Sequence, residues 1–312
     1  MMSSDFNKNH VVAIDNFTVD EIKTILDKAE EMISAAEGKS INNDLEGKLL
    51  ATLFFEPSTR TRLSFEAAMK RMGGRCIGFA RAGTSSVKKG ETLADTIRVA
   101  AGYSDMIVLR HPQEGAAKLA SNFSDVPVIN AGDGAGHHPT QTLLDLFTIR
   151  EEKGSISDNH IGIAGDLKYG RTVHSLTKAL SMFDSDMTFI SPPSLKMPQE
   201  IINILKEQGI DFREVENIRE TLDELDILYM TRIQRERFPS DKDYEEVAKT
   251  YHIEKDMLES AKDDLKIMHP LPRVDEIKPD VDETKKARYF QQAANGVPVR
   301  MALLKLLEEV EG

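Results

Sequence analysis

The amino-acid sequence predicts an α/β protein of two domains, each a parallel-type β-sheet flanked by helices, with bridging helices between them. Three observations carry that expectation. Short apolar runs alternate with segments of helical pattern, the order of βαβ units rather than of separate α and β blocks. The runs fall in two series: residues 48–55, 76–80, 106–110 and 126–130, then 160–165, 187–191, 211–215, 226–231 and 265–269. Finally, 312 residues with 40% apolar content are more than one small core takes up and suit two lobes of ordinary size.

The first run ends at Phe55; Glu56 and Pro57 break it, and Ser58 opens a helix. Further helical segments follow Glu91 and Gly115. In residues 140–150, Leu143, Leu144 and Phe147 fall at helical spacing and Gly154 stands where a helix would stop, which makes this stretch the bridge between the two series. Residues 285–310 are again helical in pattern. The expected division is 1–140 and 141–290, with a C-terminal helix at 291–312 packing back on the first domain.

Composition narrows the function. A net charge of −12 argues against a general nucleic-acid surface, because phosphate-backbone binding needs many Lys and Arg. No stretch approaches the roughly 20 continuous apolar residues of a membrane span, and residues 1–10 are polar, without a signal-peptide core. A single cysteine, Cys76, allows no internal disulfide framework and no four-thiolate zinc site, and is consistent with a reducing, cytoplasmic compartment. The adjacent His137 and His138 lack the i, i+4 spacing of a helical zinc pair, so no metal is expected.

Two glycine-rich segments come close to cofactor motifs. Gly165-Asp-Leu-Lys-Tyr-Gly-Arg-Thr172 has the spacing of a phosphate-binding P-loop, but Arg171 occupies the lysine position; it reads better as a turn presenting Arg171. Gly132-Asp-Gly-Ala-Gly-His137 resembles a dinucleotide fingerprint, yet His137 stands where the third glycine is needed for close helix packing. No cofactor is expected from either.

The strongest signal is Phe54-Phe-Glu-Pro-Ser-Thr-Arg-Thr-Arg62, a strand running through a loop into a helix. Backbone N–H groups at a helix start favour anions, and one serine, two threonines and two arginines add donors. A phosphate cradle is one reading. The other is an ordinary cap at Ser58 or Thr59 with Arg60 solvated.

Ser58-Thr59-Arg60-Thr61 resembles the carbamoyl-phosphate motif of the aspartate and ornithine carbamoyltransferase family. The likeness runs from about Asn16 to Leu307 and takes in the stretch Thr84 to Thr92, Arg110-His-Pro, His138-Pro-Thr-Gln141, Gly165 to Arg171, Thr231 to Arg237 and His269-Pro-Leu-Pro-Arg273. The Lys88-Lys-Gly-Glu91 loop, Arg232 with Gln234, and His-Pro-Leu-Pro look like the aspartate branch. In the ornithine branch a cysteine stands at the place of Pro270.

The resemblance implies transfer of a carbamoyl group from carbamoyl phosphate to L-aspartate, an early step of de novo pyrimidine biosynthesis. Carbamoyl phosphate would be bound by the first domain and aspartate by the second. Ser58, Thr59, Arg60 and Thr61 would hold the phosphate, Thr61, Arg110 and His138 would reach the carbonyl oxygen, and Gln141 the carbamoyl NH₂. Arg171, Arg232 and Gln234 would bind the aspartate carboxylates, for which guanidinium groups are well shaped. The backbone carbonyls of Leu271 and Pro272 would face substrate nitrogens. Ser85, with Ser86 a competitor for its role, and Lys89 would be contributed by an adjacent subunit of a homotrimer; the same residues also suit an ordinary charged loop. Without the resemblance, His138 reads equally as a capping or core histidine. Glu56, Lys168, Tyr169, Glu236 and Arg237 are assigned to lobe closure. Separate regulatory chains, another amine acceptor such as ornithine, and a catalytically silent anion-binding homologue stay open.

Overall fold

The computed structural model describes residues 6–81, 90–134, 136–233, 244 and 251–311. The chain divides into two compact units, Met1–Phe147 with Asn295–Gly312, and Thr148–Ala294.

The first unit is built on four strands, β1 (Leu49–Phe54), β2 (Arg75–Phe79), β3 (Met106–His111) and β4 (Val128–Asp133), in the order β2-β1-β3-β4. Every pairing is parallel, so each connection is a crossover that carries a helix. These are α2 (Thr59–Arg71), α3 (Leu93–Ala101) and α4 (Ala116–Ser121), after an N-terminal α1 (Val19–Ala36). Ala51, Leu53, Ile107, Leu109 and Val128 project from three strands onto Ile97, Ala117 and Ala120 of the helices. Fully burying one such Leu, Ile or Val contributes about 1.5–3 kcal/mol, and this shared layer sets the register in which β1 and β3 end side by side, Phe54 opposite Arg110.

The second unit has five parallel strands, β5 (His160–Ala164), β6 (Asp186–Ile190), β7 (Phe212–Val215), β8 (Ile227–Met230) and β9 (Lys266–Met268), in the order β7-β6-β5-β8-β9. The all-parallel arrangement holds throughout. Ala164, Ile190, Leu228, Met230 and Ile267 bury one face against Ile253, Met257 and Leu258. Helix α5 (Pro139–Lys153), then α6 (Arg171–Ser181), α7 (Gln199–Gln208) and the C-terminal α8 (Tyr289–Glu311) are the remaining α-helices of more than one turn among the described residues. Both α5 and α8 run through a unit boundary. Gly154, with φ +80°, follows the last residue of α5, where a left-handed residue satisfies the final carbonyls of a helix.

All nine strands match runs expected from the sequence to within one or two residues at most ends. Helix α1 was not among the expected elements, although Thr18-Val-Asp-Glu21 carries the signature of a reciprocal cap. The cap is present: Thr18 N donates to Glu21 Oε2 at 2.8 Å and Glu21 N to Thr18 Oγ1 at 3.2 Å.

Candidate active site

A parallel sheet aligns the carboxyl ends of its strands along one edge, where loops bring chemistry-bearing residues together. In the first unit that edge collects Ser58, Thr59, Arg60, Thr61, Arg110, His138 and Gln141.

After β1 the chain crosses Phe55, whose N–H donates to the Arg110 carbonyl at 2.8 Å, and enters α2 at Thr59. Ser58 stands at the cap position in extended backbone, yet its hydroxyl makes no capping hydrogen bond. The ordinary-cap reading therefore does not describe Ser58. The first turn of α2 holds no acidic residue, so the positive end of the helix faces no competing anion from its own turn. Thr59 and Arg60 are exposed and Thr61 is buried. Arg62 is turned along the helix into an ion pair with Glu66, Nε to Oε1 2.7 Å.

Arg110 ends β3 opposite Phe54. Its Nη1 donates to the Ala131 carbonyl at 3.0 Å, and Nη2 lies 3.3 Å from Glu56 Oε2. Glu56, expected to act in closure, thus fixes the fork of Arg110. The loop after β4 is tied just as closely. Asn130 donates to Asp133 Oδ1 at 3.0 Å and to the Val12 carbonyl at 2.9 Å, while its Oδ1 accepts from Gly132 N. Asp133 accepts from His137 N and Gly115 N, each at 2.9 Å. Both side chains are almost fully buried. A Cβ on Gly134, which has φ +50°, would lie 2.7 Å from Pro112 O and Glu114 N; glycine is needed there for two backbones to pass. The glycines of the dinucleotide-like segment are therefore turn and packing residues that carry the chain from β4 to α5.

His138 directly precedes α5 and is buried, with Nδ1 3.4 Å from Thr140 Oγ1. Gln141, in the first turn of α5, donates through Nε2 to Asp145 Oδ1 at 2.9 Å. Asn130, Asp133 and Asp145 were not singled out in the sequence. Their roles arise from contacts made by the folded loop, which no short motif announces.

In the second unit the edge formed by β5, β8 and β9 presents Arg171, Arg232, Leu271 and Pro272. Gly165 has φ +119°, and a Cβ there would come within 2.4 Å of the Thr231 carbonyl oxygen. The loops after β5 and β8 are pressed together at that point, with Thr231 N donating to Ala164 O at 2.8 Å. Asp166 turns the P-loop-like segment by accepting from Tyr169 N at 3.0 Å, Gly170 caps α6 and Arg171 is its first residue. Arg232 follows Thr231; both arginines are half-buried. Beyond β9, His269 Nδ1 accepts from Leu271 N at 2.8 Å, so the ring proton sits on Nε2, which donates to Glu276 Oε1 at 2.8 Å. Glu276 Oε2 accepts from the N–H groups of Val274 and Asp275, and Gln292 Oε1 from His269 N at 2.7 Å. Leu271 is left-handed at φ +54° and precedes a cis proline bond. Burial pushes the Glu276 carboxyl up, but the hydrogen bonds it accepts from His269 and from the backbone N–H groups outweigh that and hold it below the usual range.

Ser85, Lys89 and Gln234 lie outside the described residues, as do Ser86, Glu236 and Arg237. Among the described residues no group of acidic, His or Cys side chains has the arrangement of a metal site, and no described helix is long and apolar enough to cross a membrane.

Comparison with known proteins gives a consistent picture. Residues 9–151 match the model of the aspartate/ornithine carbamoyltransferase carbamoyl-P binding domain, and residues 157–307 that of the Asp/Orn binding domain. The chain is 58% identical over 302 residues to the aspartate carbamoyltransferase catalytic subunit of Methanothrix thermoacetophila, covering 97% of this chain and 99% of that one. The catalytic subunit of M. jannaschii aspartate transcarbamoylase superposes with a TM-score of 0.94 at 54% identity, covering 98% of this chain and 100% of its own. The Trypanosoma cruzi aspartate transcarbamoylase, solved in complex with carbamoyl phosphate and aspartate, superposes with a TM-score of 0.90 at 36% identity, over 97% of this chain and 96% of that one. With both halves matched by the family's domain models and more than half of its residues shared with relatives of equal length, the chain belongs to the aspartate/ornithine carbamoyltransferase family.

Proposed function

We propose that the chain catalyses transfer of the carbamoyl group of carbamoyl phosphate to the α-amino group of L-aspartate, giving N-carbamoyl-L-aspartate and phosphate. The relatives named aspartate carbamoyltransferase support this reading, as does the T. cruzi neighbour solved with both substrates. The structural observation that carries it is the first turn of α2: an uncapped helix start bearing Ser58, Thr59, Arg60 and Thr61, beside the braced fork of Arg110.

The chemistry suits that set. The neutral amine attacks the carbamoyl carbon, a C–N bond forms, and the carbonyl oxygen gains negative charge. Thr61, Arg110 and His138 are the donors assigned to that oxygen, while Ser58, Thr59, Arg60 and Thr61 hold the phosphate. Collapse breaks the C–O bond to phosphate, and the amine proton leaves with it or with solvent. Fixed donors aimed at developing charge are worth more than mobile water, since they need no reorganisation during the reaction. Gln141 is assigned to the carbamoyl NH₂. Arg171, Arg232 and Gln234 take the aspartate carboxylates, and the carbonyls of Leu271 and Pro272 orient the nitrogens.

The working unit is a homotrimer in which Ser85 and Lys89 of one chain serve the site of its neighbour. The surface of the first unit suits burial against another copy: β2 is an edge strand that exposes Ile77, and Leu63, Val99 and Tyr103 are exposed large apolar side chains of the same unit. The reaction belongs to de novo pyrimidine synthesis in the cytoplasm.

Incubating the purified chain with carbamoyl phosphate and a panel of amines, with mass detection of products, tests the activity. N-carbamoyl-L-aspartate is the expected product. Citrulline formation from ornithine in its place would overturn the choice of acceptor, and the absence of any carbamoylated amine would overturn the reading as an enzyme. Sizing by light scattering, alone and in cell extract, tests the assembly.

A further inference from the structure

Arg300, on α8, is 2% exposed, and its Nη1 donates to the Gly296 carbonyl at 2.9 Å. Its guanidinium carbon stands 5.0 Å from the centroid of the Phe65 ring on α2. A Cβ on Gly296 would come within 2.1 Å of Arg300 Nη1 and 3.4 Å of the Leu144 side chain on α5. The glycine thus leaves the space that the cation fills between packed helices. A cation this far from water is costly. Burial pulls the Arg300 pKa down to about 10, and the charge of Asp145 is the influence that opposes the fall. Asp145 is itself fully buried on α5, and its Oδ1 accepts from Gln141 Nε2 at 2.9 Å. All of these residues belong to the first unit.

An ionised carboxylate accepts hydrogen bonds and donates none. Facing Asp145, the Gln141 amide has one satisfactory orientation, with its nitrogen toward the carboxylate and its oxygen turned the other way. In the function proposed above, Gln141 meets the carbamoyl NH₂, which is a donor and requires that oxygen. A flipped amide would set NH₂ against NH₂. We propose that Asp145, with the buried Arg300 as a nearby opposite charge, is a positioning residue that fixes the Gln141 amide with Oε1 toward the carbamoyl NH₂, and so lets the site distinguish carbamoyl phosphate from acyl phosphates of the same size. The proposal rests on the carbamoyl-phosphate reading of the site.

Acetyl phosphate, which carries a methyl group where carbamoyl phosphate carries NH₂, is the probe. Its inhibition constant, the inhibition constant of inorganic phosphate and the KM of carbamoyl phosphate are measured on the wild-type protein, on Asp145→Leu, which removes the acceptor, and on Asp145→Leu/Arg300→Met. The double variant removes the cation that the single one leaves buried without the opposing charge of Asp145, a change that destabilises proteins. In the folded variants the preference for carbamoyl over acetyl phosphate should fall by about tenfold or more, the scale on which a site built for a hydrogen bond rejects an analogue lacking it. Inhibition by inorganic phosphate should stay within about twofold, since the α2 donors are untouched. A wild-type preference retained in a folded variant overturns the proposal. So does loss of fold in both variants, which would make the pair part of the scaffold alone. A wild-type chain that shows no preference between the two phosphates overturns the proposal while leaving the transfer reaction standing, whereas one that binds neither overturns both.

Discussion

A guanidinium offers its donors in a fixed plane, and for Arg110 that plane is set by the Ala131 carbonyl on one side and Glu56 on the other. The donor is thus aimed before an anion arrives, which is where electrostatic catalysis gains over water. His138 is held differently, by its buried position at the start of α5 and the nearby Thr140 hydroxyl. His138→Ala should keep its fold and its affinity for phosphate but turn over roughly 100- to 1000-fold more slowly, the usual cost of removing one oxyanion donor. Loss of the circular-dichroism spectrum together with activity would instead make it a core histidine. Arg232→Ala should raise the KM for aspartate by about tenfold or more, as removal of a charge-assisted carboxylate contact does, and leave that for carbamoyl phosphate almost unchanged. An equal rise in both would show that aspartate is assigned to the wrong unit. Glu276 carries a pH signature. Its folded pKa lies below the ordinary carboxylate value, so its contribution to stability is present above the unfolded pKa, near 4.3, and is lost as pH falls through the lower, folded one. A glutamine can accept from His269 or from the Val274 and Asp275 N–H groups, but not serve all three. Glu276→Gln should therefore destabilise by about 1–3 kcal/mol at pH 7, with the gap to wild type closing below about pH 4 as the wild-type carboxylate protonates. Urea titrations across pH measure it; a gap that is constant with pH would mean that the charge of Glu276 plays no part.

Elements position these residues through where strands stop and how their loops pass. The runs that became β1 to β9 were readable because apolar side chains concentrate where both faces of a parallel sheet are covered, and the Ser58 helix start because it follows a strand and a turn, whereas at Arg171 the sequence showed only a turn and the structure adds the helix. What stayed hidden were contacts between segments distant in sequence: Asn130 with Val12, Asp133 with Gly115, Gln292 with the backbone of His269. Helix α1 was a different case, since its reciprocal cap at Thr18 and Glu21 is written in four consecutive residues and could have been found by pattern alone. The glycines 165 and 134 suggested cofactor loops by spacing, and only the structure gives the physical reason for them: backbone passing backbone. Gly165→Ala tests this. With a positive φ and the Thr231 carbonyl in the way, it should cost about 1–3 kcal/mol in urea unfolding and disturb Arg232 one residue on, raising the aspartate KM more than that of carbamoyl phosphate. Unchanged stability would mean that the two loops do not need the close approach.

For the whole molecule, the question is whether one chain completes its own site. The phosphate donors around α2 and the arginines after β5 and β8 come from one chain, but Ser85 and Lys89, assigned to a neighbour's site, lie outside the described residues, so the test must be functional. Arg60→Ala and Lys89→Ala proteins should each be nearly inactive, since every site in either trimer lacks one group. After dissociation and reassembly of equal amounts, a site is whole when its own chain supplies Arg60 and the adjacent chain supplies Lys89. In a closed ring of three, heterologous contacts run in one direction, so a two-to-one trimer of either composition contains one such junction. Random mixing makes about one quarter of all sites whole, and close to that share of wild-type activity should return. Were Lys89 to act within its own chain, no mixture would contain a complete site, and reassembled trimers verified as mixed by native mass spectrometry would stay as inactive as the parents. Recovery near one quarter therefore separates a shared site from a self-contained one without any assumption about where the loop lies.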